Sequence, residues 1–320
     1  MFKKIKTTLT SMLVFGPVPS RRLGRSLGVN NIPAKICSYS CVYCQLGATI
    51  KISIERRPFY DPEKIFKEAE NKVKNVQVDY ITFVPDGEPT LDENLGKEIE
   101  MLKSLNHRIA VLTNGSLTFR EDVRNDLSKA DLVSLKVDAV SEDLWRKINR
   151  PHPSLSLQKI LEGMLEFSKE FKGDLITETM LIDQINYENE FDKIADFIRE
   201  LNPKIAYIAI PTRPPAEKWA KPPREEIINE AFQRFSKKIK NVEYLIGYEG
   251  TAFSFSGNVE EDLLSITAVH PMREDAVQEL LNRAGVGWEV VEKLINEGKI
   301  IELRYREHKF YMRKLPGRRK

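Results

Sequence analysis

Short apolar runs alternate with segments of helical periodicity along most of this 320-residue chain. Strands are predicted at residues 27–36, 80–84, 107–113, 132–137, 175–182 and 205–210. Helices are predicted at residues 61–75, 93–105, 120–128, 156–171 and 188–201. Strands separated by helices of this length are joined by right-handed crossovers and form a parallel sheet. The pattern therefore predicts an α/β fold in which six strands form a partial parallel (βα)6 barrel.

The stretch before these elements, residues 15–28, is rich in glycine, proline and arginine. We predict that it forms a loop lying over another part of the protein. Arg21, Arg22 and Arg25 fall in this stretch, and guanidinium groups bind phosphate and carboxylate well. The three arginines are therefore candidate ligands for an anionic group.

The C-terminal part of the chain has a different organisation. Three short helices are predicted at residues 262–269, 273–284 and 288–297, followed by a hairpin over 300–313 with its turn near Glu307 and His308. This order resembles a winged helix-turn-helix module, a fold that either binds nucleic acid or mediates protein contacts. We expect a barrel domain over residues 1–256 and a small winged helix-like α+β domain over residues 257–320.

The charge of the chain is unevenly distributed. The formal net charge is +3, but residues 299–320 contain nine basic and two acidic residues, which leaves residues 1–298 with a net charge of −4. Such a local surplus can attract a polyanion, although it is also typical of a solvated tail. The chain has 41% hydrophobic and 30% charged residues and no apolar run of membrane-spanning length. We expect an ordinary globular protein in the cytoplasm.

All three cysteines of the chain, Cys37, Cys41 and Cys44, lie within eight residues of one another. A disulfide would leave one thiol over. A structural zinc site needs a fourth ligand, and no histidine lies near the motif in sequence. The four histidines are His107, His152, His270 and His308. Three thiolates can hold an iron-sulfur cubane and leave one iron open, so the motif favours a cluster that does chemistry.

Four motifs together resemble the radical S-adenosylmethionine (SAM) superfamily. The cysteines have C-x3-C-x2-C spacing with an aromatic residue, Tyr43, before the last one. Asp-Gly-Glu-Pro-Thr at 86–90, Thr-Asn-Gly at 113–115 and Lys-Val-Asp at 136–138 each follow or end a predicted strand. The resemblance covers residues 14–215. The motifs at 16–24 and 211–215 are similar to a poorly characterised subgroup grouped with wyosine-type tRNA-modifying enzymes.

The resemblance implies a partial barrel of radical SAM type with a 4Fe-4S cluster at Cys37, Cys41 and Cys44. It implies that SAM chelates the open iron and is cleaved reductively to a 5'-deoxyadenosyl radical, with a ferredoxin or flavodoxin as the one-electron donor. The implied cofactor-binding residues are Tyr43, Gly87, Glu88, Asn114, Asp138, Glu178 and Ile208. Candidate substrate-binding residues are Arg21, Arg150, His152 and Arg213.

Each of these roles has a structural alternative. Gly87 could supply a turn with positive φ, Glu88 could cap the next helix, and Asn114 begins a common turn dipeptide. The loops that carry Arg150 and Arg213 could be rigid surface loops. What favours function is that the motifs lie at the carboxyl ends of predicted parallel strands, where such sheets bind their ligands.

Three functions are compatible with the sequence. The first is radical chemistry on an unidentified substrate, with RNA as a candidate because of the basic C-terminal segment. The second is an activase that generates a glycyl radical on a partner protein. The third is a redox sensor that binds DNA and does no chemistry. With only three cysteines, a second cluster cannot be held in the same way, which argues against wyosine synthesis itself.

Overall fold

The computed structural model describes residues 13–247, 250, 251, 253, 255 and 257–314. Thirteen strands occur among these residues: β1 (Val14–Ser20), β2 (Gly24–Val29), β3 (Ile36–Cys37), β4 (Lys51–Ile52), β5 (Tyr80–Phe83), β6 (Arg108–Thr113), β7 (Leu132–Lys136), β8 (Asp174–Met180), β9 (Ile205–Ala209), β10 (Val242–Leu245), β11 (Met272–Arg273), β12 (Ile300–Tyr305) and β13 (His308–Arg313).

Ten α-helices occur in the same part of the chain: α1 (Pro62–Val73), α2 (Leu95–Lys103), α3 (Glu121–Leu127), α4 (Glu142–Asn149), α5 (Leu157–Glu170), α6 (Phe191–Leu201), α7 (Glu225–Ser236), α8 (Val259–Val269), α9 (Glu274–Ala284) and α10 (Glu289–Asn296). No helix of the described residues is both long enough and apolar enough to cross a lipid bilayer.

The main sheet has the strand order β1-β2-β5-β6-β7-β8-β9-β10. β2 and the six strands that follow it in this order are parallel, and β1 is antiparallel to β2. The parallel strands curl into a partial barrel, which confirms the predicted fold class. Successive side chains point to opposite faces: Ile109 and Val111 pack in the large core with the helices, whereas Ala110 faces the inside of the barrel.

The predicted helices and central strands are present, with ends that differ by a few residues. The clearest example is α1, where the Asp61 carboxylate accepts a hydrogen bond from the Glu63 backbone N–H and Pro62 occupies the first helical turn. This N-cap and the proline at the first position are what the sequence predicted. Local signals of this kind act within one turn and so are readable without knowledge of the fold.

The prediction of a loop at residues 15–28 was wrong, because this segment forms the antiparallel pair β1 and β2. Pro17 and Pro19 lie in β1, which is an edge strand of the sheet. Proline is tolerated there because the missing backbone N–H is not needed for a ladder. The strand predicted at 27–36 is also shorter than expected, since β2 ends at Val29 and Ile36 begins the separate strand β3.

Several elements were not predicted, among them α4, α7 and the edge strand β10. α4 has eight residues and is followed closely by Pro151, and β10 has four residues of which only Leu245 is buried. α4 and β10 contain too few periodic positions to be recognised from pattern alone, whereas α7 has 12 residues, as many as α1, so its length does not explain why it was missed. With β10 the parallel part of the sheet has seven strands, one more than predicted.

The C-terminal elements follow the predicted order, with the short strand β11 added between α8 and α9. β11, β13 and β12 form a small antiparallel sheet, and Tyr305 pairs with His308 across a turn formed by Arg306 and Glu307. The winged-helix interpretation stays a prediction. Arg318, Arg319 and Lys320, which contribute to the basic surplus, lie outside the described residues. Residue 256, the last one of the predicted barrel domain, also lies outside them.

The C-terminal elements share a hydrophobic core with β1. Phe15 and Val18 of β1 are buried in one cluster with Leu263 and Ile266 of α8 and with Met272. Burial of apolar surface against a common core stabilises the contact between the two parts. The division into two domains stays a prediction, and the described contacts hold the C-terminal part against the barrel.

Candidate active site

Cys37, Cys41 and Cys44 line a single cavity of about 310 Å³. The cavity lies at the carboxyl ends of the parallel strands, because Gly87 follows β5 and Ala209 ends β9 on its wall. Open α/β sheets and barrels place their ligands at this end of the strands. All three thiols are partly exposed to this cavity.

The backbone of the segment after α4 holds one side of the cysteine loop. The Ser40 N–H donates to the carbonyl of Asn149 at 3.0 Å, and the Val42 N–H donates to the carbonyl of Ile148 at 2.9 Å. The His152 N–H in turn donates to the carbonyl of Ser38 at 2.9 Å. These bonds join the cysteine loop to residues more than a hundred positions away.

Arg150 and His152, predicted as substrate ligands, belong to this segment and do not line the cavity. The Arg150 side chain is 45% exposed and pairs with Glu217 at 2.5 Å, and Nδ1 of His152 accepts a hydrogen bond from the Ser154 N–H at 3.2 Å. The side-chain geometry corresponds to the surface-loop alternative, because it is the backbone of this segment that binds the cysteine loop. Contact with a substrate stays a prediction.

The turn that contains Gly87 holds another side of the loop. The Glu88 N–H donates to the carbonyl of Ile36 at 3.2 Å, and a Cβ placed on Gly87 would lie 2.1 Å from that same oxygen. Gly87 does not have a positive φ. Its glycine identity is therefore required by the close approach of two backbones and not by the left-handed turn that the sequence allowed.

A polar side chain donates to each thiol. Asn114 Nδ2 lies 3.6 Å from Cys37 Sγ, Asn149 Nδ2 lies 3.5 Å from Cys41 Sγ, and Lys35 Nζ lies 3.4 Å from Cys44 Sγ. Lys35 and Asn149 were not predicted, and no sequence signal connects them to the cysteines. Hydrogen bonds to the sulfurs are one of the features that set the reduction potential of an iron-sulfur cluster.

The thiol environment fits a cluster better than a zinc ion. Burial raises the pKa of Cys41 to about 12 and also raises the pKa of Cys37, so metal must displace the protons for these thiols to bind. In the described part of the chain, no histidine lines this cavity and no three His, Cys, Asp or Glu side chains are arranged around one ion. A tetrahedral zinc site would lack its fourth ligand, whereas a cubane places each thiolate on a different iron.

Asp138 organises a buried polar network behind the cysteine loop. Its carboxylate accepts hydrogen bonds from the Tyr43 hydroxyl, from Asn149 Nδ2 at 2.7 Å and from the Met180 backbone N–H at 2.9 Å. The ammonium of Lys136 lies 4.7 Å from the centre of the Tyr43 ring. Tyr43 lines the cavity and Asp138 does not, so Asp138 positions Tyr43 and Asn149 and does not face the cavity itself.

Glu88 is buried and its carboxylate is fully used by neighbouring residues. It accepts hydrogen bonds from the backbone and hydroxyl of Thr90, from the Thr113 hydroxyl at 2.5 Å and from the Asn114 N–H at 2.8 Å. Its side chain also caps the short 3-10 helix that follows. The geometry therefore matches the capping alternative, and contact of Glu88 with SAM stays a prediction.

Glu178 lies on the cavity wall inside a cluster of cations. Lys136 Nζ donates to one of its oxygens at 2.7 Å, and the Arg22 guanidinium donates to the other. Burial alone would raise the pKa of Glu178, but Lys136 and Arg22 outweigh that effect and hold the pKa at about 2. The carboxylate is thus charged at neutral pH. Arg21, predicted as a substrate ligand, lies on the same wall.

Ile208 was predicted to contact SAM through its backbone, and its side chain faces away from the cavity. It is fully buried in the core between the sheet and the helices. The neighbouring residues that do line the cavity are Ala209, Ile210, Pro211, Thr212 and Arg213. Because side chains alternate along a strand, a shift of one position changes the face. The orientation of a side chain does not test a backbone contact, so contact of SAM with the backbone of residues 208–211 stays a prediction.

Arg213 links the barrel to the C-terminal part at the cavity mouth. Its guanidinium donates to Gln45 Oε1 at 2.7 Å and lies 2.9 Å from His270 Nε2. Burial and the charge of Arg213 lower the pKa of His270 well below its usual range, so the ring is neutral and Nε2 can accept. Gln45 Nε2 also donates to the Val269 carbonyl at 3.4 Å. The residue after Cys44 thus contacts the C-terminal part directly.

Substitution of Lys35 by methionine is expected to destabilise the protein strongly. Lys35 and Asp86 are both almost fully buried with Nζ and Oδ1 3.9 Å apart, and loss of one partner leaves a buried charge, at a cost of about 3–5 kcal/mol. Urea unfolding of the metal-free protein measures this. The double variant Lys35→Met/Asp86→Asn should recover much of the loss, and a double variant less stable than the single one would contradict the pairing.

Comparison with known proteins matches the chain to one family model and to several relatives. Residues 31–198 match the family model described as the radical SAM superfamily. The chain is 54% identical over 314 residues to the UPF0026 protein MJ1312 of Methanocaldococcus jannaschii, covering 96% of this chain and 98% of that protein. It is 38% identical over 203 residues to the UPF0026 protein slr1464 of Synechocystis, covering 63% and 76% of the two chains.

Two solved structures have a similar fold. TYW1 with a lysine-pyruvate adduct bound has a TM-score of 0.53 and 18% identity, covering 67% of this chain and 74% of that one. SuiB of Streptococcus suis bound to S-adenosylmethionine has a TM-score of 0.51 and 14% identity, covering 69% and 51%. At these identities the likeness is one of fold alone.

Proposed function

The chain belongs to the radical SAM superfamily, and from that premise we propose that it is a one-cluster enzyme acting on a small molecule with a carboxylate or phosphate group. A 4Fe-4S cluster and SAM are the cofactors of this superfamily. When bound, they supply reductive cleavage of SAM to methionine and a 5'-deoxyadenosyl radical that abstracts hydrogen from a substrate. The observation that carries the proposal is a second cavity that shares its arginines with the thiol-lined one.

The cysteines are the residues that would hold the cluster. Lys35, Asn114 and Asn149 orient or contact the thiols, and the Gly87 turn fixes the backbone just before Cys37. Tyr43 and Glu178 form part of the wall beyond the thiols, where SAM would lie. The roles of these residues toward the cofactors are our proposal.

The second cavity, of about 140 Å³, lies between the inside of the barrel and the C-terminal part. It shares Arg21, Arg22 and Arg213 with the first cavity, and His270 lines its far side. Because Glu178 is the carboxylate on these walls and already binds Lys136 and Arg22, the walls carry a surplus of positive charge. Guanidinium groups in a restricted space favour a carboxylate or phosphate ligand.

The size of this cavity favours a small substrate over a macromolecule. Pockets for drug-sized ligands have volumes of about 300–1,000 Å³, well above this one. His270 and Val269 of the C-terminal part lie over it. A nucleotide of RNA or the backbone of a partner protein would need this contact to open, so the structure offers less support for tRNA modification or glycyl-radical activation.

RNA recognition by the basic hairpin has limited support in the described residues. Lys309 lies 3.2 Å from Glu274, and the guanidinium of Arg273 pairs with Asp275. Arg304 of the hairpin has 79% of its side chain exposed to solvent. Binding to a phosphate backbone depends on cations that are free to release counterions, and part of the surplus is neutralised locally. RNA as the substrate stays a prediction.

Titration calorimetry of the reconstituted protein with SAM bound tests the substrate class. Acetate and pyruvate form the carboxylate arm and inorganic phosphate the phosphate arm. We expect one arm to bind, and Arg213→Gln to weaken that binding about tenfold or more, because a hydrogen bond to a charged group contributes about 1.5–3 kcal/mol.

Arg304→Gln is the matched control, since it removes an arginine that is remote from both cavities. Equal weakening by both variants, or binding of neither arm by the wild-type protein, would contradict the small-anion proposal. Iron and sulfide content is measured in the same samples, so that loss of the cluster is distinguished from loss of the anion site.

A further inference from the structure

The strand β4 lies directly beside the first cysteine. Cys37 pairs with Ile52 in the two-stranded sheet of β3 and β4, and the Ser53 N–H donates to the Cys37 carbonyl at 3.0 Å. Paired strands lie about 4.8 Å apart. The backbone of Ile52 is therefore one strand spacing from the backbone of a proposed cluster ligand.

The segment around β4 exposes large apolar side chains. Ile50, which directly precedes β4, is 52% exposed, and Ile52 in β4 is 39% exposed. The large hydrophobic side chains exposed to this degree among the described residues are Ile50, Ile52, Phe119, Tyr244 and Ile246. Ile50 and Ile52 lie close together in sequence beside Cys37, as Tyr244 and Ile246 do at β10, where the Tyr244 ring stacks on Phe232.

Other sides of the cysteine loop are covered by protein. Residues 148–152 contact it on one side and the Gly87 turn on another, and the C-terminal part lies near Gln45. Segment 48–52 is the part of the motif region with the most exposure, since four of its five residues are open to solvent.

We propose that Ile50, Lys51 and Ile52, here called the β4 patch, form the docking surface for an acidic one-electron carrier protein. This inference rests on the proposed function, because SAM cleavage by the enzyme consumes one electron from outside. In the step, the carrier's reduced centre loses one electron and the cluster gains it, and no atoms are transferred. The apolar centre of the patch contacts the carrier close to its redox group.

The charge around the patch supports an acidic partner. Lys51 and Arg57 are exposed, against a single exposed carboxylate, Glu55, in the same segment. Complementary charge around a small apolar centre increases the association rate and leaves the complex short-lived. Electron-transfer complexes use small interfaces of this kind, which suits a carrier that must leave after each turnover.

The rate of cluster reduction by two reductants tests the β4 patch. Reduced flavodoxin serves as the acidic carrier and dithionite as the small chemical reductant that needs no docking surface. We expect Ile52→Glu to slow reduction by flavodoxin about tenfold or more, because like charge and lost apolar contact oppose docking, and to leave reduction by dithionite unchanged. Added salt should slow the flavodoxin reaction of the wild-type protein.

Phe119→Glu is the matched control, since Phe119 is also 39% exposed but does not line the cavity of the cysteines. Equal rates for wild type and Ile52→Glu with flavodoxin would overturn the inference, as would equal slowing by Phe119→Glu. If Ile52→Glu disturbs the cluster, the same two reduction rates are measured for Lys51→Glu. Equal rates for Lys51→Glu and wild type with flavodoxin would then overturn the inference. If sedimentation shows that Ile52→Glu converts a dimer to a monomer, the patch is a contact between copies and the inference fails. Absence of SAM cleavage by wild type with dithionite would instead contradict the proposed function.

Discussion

Replacement of Cys41 by alanine is expected to abolish both the cluster and SAM cleavage. Cys41 is one of three thiols on the same cavity, and the described residues provide no histidine there to take its place. After anaerobic reconstitution with iron and sulfide, we expect the wild-type protein to produce 5'-deoxyadenosine with dithionite and SAM, and Cys41→Ala to produce none above a protein-free sample. Iron and sulfide content should fall in parallel.

The control for Cys41→Ala is the apoprotein itself. Urea unfolding without metal should show a small change, because Cys41 is partly exposed and its thiol only accepts a long hydrogen bond from Asn149 Nδ2 at 3.5 Å. A variant that still cleaves SAM would contradict the assignment of the ligand. If the wild-type protein bound zinc and no iron under these conditions, the three cysteines would be ligands of a structural metal site and not of a cluster.

Substitution of Gly87 by alanine is expected to have the second large effect. The new Cβ would lie 2.1 Å from the Ile36 carbonyl oxygen and 3.1 Å from its carbonyl carbon, and both are backbone atoms next to Cys37 that cannot rotate away. We expect a loss of about 3 kcal/mol or more in the free energy of unfolding, at the upper end for overpacking. Iron content after reconstitution should also fall, because relief of the clash moves the Cys37 backbone.

Gly247→Ala is the matched control for Gly87→Ala. No atom lies within 4 Å of a Cβ placed on Gly247, and its φ is not positive. The free energy of unfolding should change by about 0.5 kcal/mol or less, as for most surface substitutions. If both variants unfold at the same urea concentration and bind the same amount of iron, the close contact between Gly87 and Ile36 is not required.

The radical SAM family and the α/β fold could both be predicted from the sequence. The three cysteines could be identified there as candidate cluster ligands. The cysteine motif is a local pattern, since its spacing is read within eight residues. The helix that begins at Asp61 and Pro62 depends on contacts within one turn. The C-terminal elements were likewise predicted in the correct order, because their helices end at Gly285 and Gly298. In each case the signal lies between near neighbours along the chain.

The edges of the sheet and the roles of several site residues depend on the tertiary structure. β1 contains two prolines and gains its partners from β2 and from the C-terminal core, so its own sequence does not indicate a strand. Glu88 resembles a cofactor ligand in its motif, but its oxygens are bound by Thr90, Thr113 and Asn114. Whether a carboxylate faces a cavity or caps a helix is decided by what packs around it.

The sequence by itself determined which chemistry the chain can carry, because the thiols and the motifs after the strands are properties of short segments. The tertiary structure alone decided which side chains meet those thiols and what closes the cavity. Lys35 reaches Cys44, Asn149 reaches Cys41 across 108 positions, and Arg213 reaches His270. Such contacts arise from the packing of distant segments, and neither periodicity nor spacing within a segment contains that information.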